Sequence, residues 1–198
     1  MSEAPTVVLA HGAWADGSSW GGVIGRLAEA GLNAVAAPLP LTSLADDVAA
    51  LERSIARAGG PVLLAGHAYA GAVIGAARSD AVKGLVYVAA LAPDEGETVA
   101  DVFYRAPPHP LAPQLAPDAD GLIWLPRDAF AAAFAPQAAA ADQALFAAVQ
   151  RPISPACITV PVGRPRWRDL PSWYLAAEDD RMIAVKTSAS WPAAWGRR

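Results

Sequence analysis

The sequence is poor in cysteine and has no long apolar runs. Its 198 residues include one cysteine, Cys157, which excludes an internal disulfide and is typical of a reducing compartment. No apolar run is long enough to span a bilayer, and the N-terminus has neither the basic nor the apolar segment of a signal peptide. We therefore expect a cytoplasmic protein that does not associate with a membrane.

Clustered positive charge is also missing. The net charge is −4, and Lys and Arg are scattered over most of the chain, which does not fit a nucleic-acid-binding face. Two G-x-x-x-x-G stretches lack the lysine of a phosphate-binding loop, and no His, Cys and carboxylate residues are spaced as metal ligands. The sequence predicts neither a metal nor another cofactor.

What the chain does have is an alternation of short apolar strands with helices. Strands are predicted over 6–10, 33–37, 61–65, 83–90 and 172–176, and helices over 18–30, 43–58 and 69–78. Ser18 or Ser19 is the expected N-cap of the first helix, and Ser43 that of the second. This rhythm predicts one α/β domain over 1–198, built on a doubly wound, mostly parallel sheet.

Two segments depart from this rhythm. Prolines cluster from residue 107 to 117, and short Ala-rich helices are expected over 127–150, so residues 93–165 are interpreted as a helical cap insertion. Residues 184–198 have no clean period and are predicted to form an irregular tail.

The segment 61–71 reads P-V-L-L-A-G-H-A-Y-A-G, an apolar strand that enters a turn of small residues and then a helix. This is the context in which a G-x-S-x-G motif holds an attacking serine. Ala68 stands where that serine would be. A methyl group cannot attack a carbonyl, so the position that would carry nucleophilic catalysis lacks its nucleophile.

Three further motifs accompany this turn: H-G-A-W-A-D-G-S-S-W over 11–20, L-T-S-L-A-D-D-V over 41–48, and V-Y-V-A-A-L-A-P-D-E-G over 86–96. Together and in this order they resemble the α/β-hydrolase family, in its small esterase-like branch. The resemblance covers about residues 5 to 183. It implies a strand order of 2-1-3-4-5 and a cap over an apolar pocket.

The resemblance also implies site residues. Ala13 and Tyr69 occupy the positions whose backbone N–H groups form the oxyanion hole of such enzymes. The pocket is expected to include His11, Trp14 and His67, with His67 usually directed away from the nucleophile.

The triad that the resemblance implies is incomplete. Its acid matches Asp180, with Asp179 as the alternative, and its histidine base would follow that acid. The only histidines are His11, His67 and His109, so the base is absent. The family reaction, ester hydrolysis through a serine-bound intermediate, is therefore expected to be lost or feeble.

Several interpretations stay open at this point. The chain is a non-catalytic module that binds a small apolar or ester-like ligand, an enzyme that polarises a carbonyl without a covalent step, or an engineered or degenerate variant of a serine esterase. The composition of the last residues also suggests a frameshift or truncation after Ile183. A shortened sheet would leave the strand at Trp173–Leu175 as an open edge, and we expect a homodimer through it.

Overall fold

The structure is a computed structural model that describes residues 4–184 and the backbone of Gly196–Arg197. Its centre is a parallel six-stranded sheet with the order β2-β1-β3-β4-β5-β6, which confirms the predicted order of the first five strands. The strands are β1 Thr6–Ala10, β2 Ala34–Ala37, β3 Val62–His67, β4 Val82–Val88, β5 Ser172–Leu175 and β6 Gly196–Arg197.

The inner strands form the core because their side chains are buried on both faces. In β1, the neighbours Val8 and Leu9 point to opposite faces and are 0% and 1% exposed, and in β3 the neighbours Leu64 and Ala65 are 0% and 6% exposed. Strand β3 lies between β1 and β4, with Ala10 paired to Gly66 at the carboxyl end. Near-continuous apolar strands of this kind are typical of a sheet covered on both faces. Ligands of such sheets bind at the carboxyl ends of the strands.

Helices α1 Gly21–Glu29, α2 Leu44–Ala58 and α3 Ala70–Ala76 connect these strands. Ser43 caps α2 as predicted, since its side chain accepts from the N–H of Asp46, and Gly59 ends that helix with a φ of 73°. The predicted cap of the first helix is wrong. A 3-10 turn precedes α1, and Asp16 caps it by accepting from the N–H of Ser18.

The cap segment, residues 93–165, contributes no strand to the sheet. It contains α4 Val99–Phe103, a π-helical turn at Phe130–Phe134, α5 Ala140–Val149 and a 3-10 turn at Pro155–Cys157. Isolated bridges join Ile123 to residues 117 and 153 and hold the irregular parts of the segment together.

The sequence predicts that β5 is an open edge of the sheet. This prediction is wrong for two residues of β5, because another strand pairs with them. Strand β6 runs parallel to β5 and pairs with Trp173 and Tyr174. The rest of the predicted tail, residues 185–195 and 198, lies outside the described residues. A homodimer through this edge stays a prediction.

In the part of the chain that the structure describes, no helix has the length and apolar character needed to cross a membrane.

Candidate active site

The turn around Ala68 between β3 and α3, which we call the elbow, keeps the conformation that a nucleophile requires. Ala68 has a φ of 50°, in the left-handed region that a residue with a side chain rarely adopts. Backbone hydrogen bonds hold it there: its N–H donates to the carbonyl of Val88 at 3.3 Å, and its own carbonyl accepts from Gly71 at 3.1 Å and from Leu91 at 2.9 Å. The turn is therefore formed although its central side chain is a methyl group.

The loop that follows β1 lies directly against this turn. A Cβ added to Gly12 would lie 3.0 Å from the Cβ of Ala68 and 3.2 Å from Nδ1 of His67, so glycine permits the close approach. Trp14, at a φ of 57°, donates its indole N–H to the carbonyl of Ile123 in the cap segment at 3.0 Å. The loop is thus fixed between the elbow and the cap.

A cavity of about 740 Å³ opens at this point. Ala13, Trp14, Ala68 and Tyr69 contribute to its wall from the loops that follow β1 and β3. The opposite wall is apolar and comes mostly from the cap segment, including Phe103, Leu115, Ile123, Ala133 and Phe134. Within the described residues, neither the N–H of Ala13 nor that of Tyr69 donates to another residue.

The acidic loop after β5 forms a third part of the wall. Asp180 and Asp179 both border the cavity, together with Glu178. One carboxylate oxygen of Asp180 accepts from the N–H groups of Met182 and Ile183, each at 2.8 Å. These bonds orient the carboxylate, and its second oxygen has no hydrogen-bond partner among the described residues. Both predicted candidates for the acid therefore lie in one cavity with Ala68.

The three histidines have different surroundings. His11 is buried, with Nδ1 bonded to the carbonyl of Gly12, and it does not line the 740 Å³ cavity, contrary to the sequence-based expectation. Burial lowers its pKa. His109 lies in the cap segment, where its Nδ1 accepts from the N–H of Leu111. His67 does line the cavity, and it is the only histidine of the described residues that does.

A second cavity, of about 260 Å³, also borders His67. Trp14, His67 and Phe134 border both cavities. The ring of Trp20 meets the His67 ring edge-on, with 6.4 Å between centroids. Burial, and secondarily His11, lowers the pKa of the His67 imidazole, whereas the charge of Asp180 acts to raise it. The imidazole and this carboxylate both border the 740 Å³ cavity.

A buried polar network lies behind the elbow. Asp47, in α2, is inaccessible to solvent and accepts from the hydroxyl of Tyr69 and from the N–H of Leu41, both at 2.7 Å. The thiol of Cys157 approaches the same carboxylate at 3.6 Å. Burial raises the pKa of Asp47 and raises that of Cys157 to about 12. The network joins α2, the elbow and the cap segment.

A family model described as "Alpha/beta hydrolase family" matches residues 7–198. The chain belongs to the α/β-hydrolase family. The match continues beyond residue 183, so it does not support the expected end of the likeness at that point. Comparison with curated proteins finds none that matches this α/β-hydrolase.

Solved structures share the fold at low identity. An extracellular alpha/beta-hydrolase from a Paenibacillus species has a TM-score of 0.79 and 20% identity, covering 98% of this chain and 88% of that chain. A serine-to-alanine variant of the pyrethroid hydrolase PytH has a TM-score of 0.77 and 19% identity, covering 99% of this chain and 88% of that chain. A histidine-to-alanine variant of tomato methylketone synthase I, complexed with beta-ketoheptanoate, has a TM-score of 0.76 and 16% identity, covering 99% of this chain and 89% of that chain. These relations show an α/β-hydrolase fold related to that of esterases.

Sequence reasoning missed the Asp47 network of this α/β-hydrolase. A signal was available, because Asp47 lies on the same helical face as Leu44 and Leu51, where an apolar residue is expected. A carboxylate on such a face needs buried partners.

Among the described residues, no group of His, Cys, Asp and Glu could hold a metal ion.

Proposed function

We propose that this protein binds a small apolar ligand with an ester or ketone carbonyl, and that ester hydrolysis through a serine-bound intermediate is lost or feeble. One observation carries the proposal. The elbow and its cavity are fully formed around Ala68, a residue that cannot attack a carbonyl. A cytoplasmic location is part of the proposal and is supported by the single, buried Cys157.

The cavity supports the proposed ligand class. Its volume of about 740 Å³ lies within the range of small-molecule sites, and most of its wall is aliphatic or aromatic. A structural relative of the same fold, tomato methylketone synthase I, has been solved with beta-ketoheptanoate and with 2-tridecanone, which both carry a carbonyl on an alkyl chain. We infer the same general class of ligand for this chain.

The backbone supports a role for the carbonyl group. The family resemblance assigns the N–H groups of Ala13 and Tyr69 to an oxyanion hole, and we propose that they donate to the ligand carbonyl. Backbone donors do not depend on the side chain at position 68, so they are retained when serine is replaced by alanine. Carbonyl polarisation would therefore survive the loss of the nucleophile.

Among the described residues, neither Cys157 nor Ser18 is suited to replace the serine. Cys157 is buried, and the pKa of its thiol is raised to about 12, so the reactive thiolate is not formed at neutral pH. Ser18 is exposed and donates its hydroxyl to Asp16. With Asp180 as the proposed acid and no base after it, the remaining acceleration of ester hydrolysis would be of the order 10³–10⁴ over water, from binding and the oxyanion hole alone.

A fluorophosphonate probe tests the loss of nucleophilic catalysis. We expect no adduct on the native chain by mass spectrometry. The Ala68→Ser variant is the matched comparison: slow labelling at residue 68 alone is expected, since the elbow is formed but the histidine that follows the acid in the family is missing. An adduct on a defined residue of the native chain, such as Ser18, Ser19 or Cys157, would contradict the proposal.

Ligand binding is tested by filling the cavity. Ala133 is 3% exposed and lines the cavity, whereas Ala131 lies on the same turn and is exposed. The affinity for 1-phenylpropan-2-one would be measured from the quenching of tryptophan fluorescence, relative to the ligand-free form of each protein. We expect similar affinities for the native chain and for Ala131→Trp. Ala133→Trp should lose most of this affinity. Equal affinity in both variants, or none in the native chain, would show that the cavity is not the binding site.

A further inference from the structure

We propose that His67 is a proton acceptor at the carbon next to the ligand carbonyl, so that this chain catalyses enolisation of apolar ketones. The inference rests on the proposed function only for the binding of a carbonyl ligand in the cavity. It assigns an activity that needs no hydroxyl at residue 68.

The position of the imidazole carries the first step of the argument. His67 borders both the 740 Å³ and the 260 Å³ cavity, and its Nδ1 lies beside Gly12, where the Cβ of Ala68 also lies. No hydrogen bond joins either ring nitrogen to another described residue. The ring of Trp20 packs edge-on against the imidazole, so packing orients the His67 ring at the border of the two cavities.

The charges around the ring carry the second step. Burial keeps the His67 ring neutral at neutral pH, which leaves a lone pair free to take a proton. Once the ring is protonated, the nearby carboxylate of Asp180 stabilises the positive charge.

The reaction can be written without a cofactor. A C–H bond next to the carbonyl breaks, its proton passes to a ring nitrogen of His67, and its electron pair forms the C=C bond of an enolate. The negative charge develops on the carbonyl oxygen, where the N–H groups of Ala13 and Tyr69 are proposed to donate. Return of a solvent-derived proton from His67 restores the ketone, so the net change is exchange of one hydrogen.

The methyl group of Ala68 favours this outcome over acyl transfer. A hydroxyl at this position would attack the carbonyl carbon that the two N–H groups polarise. With a methyl group there, the bound carbonyl is polarised without being attacked, and proton loss from the neighbouring carbon is the remaining path.

Hydrogen exchange measures this activity directly. The full chain would be incubated with 1-phenylpropan-2-one in D₂O, and loss of the CH₂ signal would be followed by NMR at near-neutral pH. We expect exchange about 10²-fold faster than in buffer alone, the scale of general base catalysis. His67→Gln should return the rate to that of buffer, while His109→Gln, which changes a histidine outside the cavity, should keep it.

Asp180→Asn separates the imidazole from the carboxylates. An asparagine can still accept from Met182 and Ile183, so the loop is retained while the charge facing His67 is removed. We expect a several-fold slower exchange than in the native chain. Exchange that persists in His67→Gln would overturn the inference, as would exchange at the buffer rate with the ketone bound. If the ketone does not bind at all, the proposed function fails as well.

Discussion

Asp47 offers the most direct test of how the elbow is supported. Its carboxylate is inaccessible to solvent and accepts from the Tyr69 hydroxyl and the Leu41 N–H, each at 2.7 Å. In Asp47→Ala both donors lose their partner inside the protein. A buried donor without an acceptor costs about 1–3 kcal/mol, so the free energy of unfolding should fall by about 2–6 kcal/mol.

Two milder variants set the scale. In Asp47→Asn the amide oxygen still accepts from Leu41, and the amide nitrogen can donate to the Tyr69 hydroxyl, so we expect a loss below about 1.5 kcal/mol. In Tyr69→Phe the charged acceptor loses one hydrogen bond, which corresponds to about 1.5–3 kcal/mol. Asp142→Ala, which removes an exposed carboxylate of α5, should stay within about 0.5 kcal/mol of the native chain.

Urea denaturation followed by circular dichroism gives these free energies. The reasoning requires the order Asp47→Ala, then Tyr69→Phe, then Asp47→Asn, from most to least destabilised. It is refuted if Asp47→Ala costs no more than the exposed control Asp142→Ala. It is also refuted if Tyr69→Phe and Asp47→Asn have strictly additive effects, because two residues that share a hydrogen bond must be coupled.

The same carboxylate gives a pH dependence with a definite sign. Burial raises the pKa of Asp47 in the folded chain, so the folded state binds this proton more tightly than the unfolded state does. Its contribution to stability is present below the unfolded pKa and is lost as the pH rises through the folded pKa. Relative to Asp47→Asn, the native chain should therefore lose unfolding free energy as the pH rises above about 4. An equal pH profile for both would contradict the raised pKa.

Three further predictions concern the elbow and the buried thiol. Ala68→Gly should raise the unfolding free energy by up to about 1 kcal/mol because glycine accepts a positive φ, whereas Ala70→Gly in the following helix should lower it by about 0.5–1 kcal/mol. Gly71→Ala should strongly destabilise the chain, since its Cβ would clash with the main-chain oxygen of Leu91, while Gly25→Ala, with open space around it, should stabilise the chain slightly. Cys157 should resist iodoacetamide in the native chain at about pH 8 and react after denaturation, as mass spectrometry would show.

Each has an outcome that would count against it. Equal effects of glycine at residues 68 and 70 would mean that the positive φ carries no strain. A folded, native-like Gly71→Ala would show that the backbone contact can relax. Rapid alkylation of native Cys157 would show that the network opens under native conditions.

The order of the sheet was predictable because it depends on patterns that the sequence displays directly. Apolar runs such as 6–10 and 61–65, separated by helical periods, predict parallel strands, and the structure has them. Ser43 was recognisable as a cap because a side chain that caps a helix acts on its own neighbours in sequence. The cap of the first helix was predicted wrongly although capping is local there too. Asp16 lies two residues before Ser18 and is an equally good cap residue, so the sequence offers more than one candidate.

The environment of the site was less predictable because it depends on contacts distant in sequence. The approach of Cys157 to Asp47 spans 110 residues, and no local pattern encodes it. The burial of His11 and the position of His67 at the cavity depend on how two neighbouring strand ends meet. His11 directly follows β1, whereas His67 is the last residue of β3. The strand at Gly196–Arg197 was missed because two residues are too short to show a period.

The left-handed backbone at Ala68 has a genetic consequence. Any alanine codon becomes a serine codon by the change of its first base, and this backbone already presents residue 68 as an elbow would present a nucleophile. A single point mutation would therefore place a hydroxyl beside the cavity without reshaping the chain around it. The alanine-bearing form and a serine-bearing form differ by a single base change in this codon. Evolution can therefore convert one form into the other at this position in one mutational step.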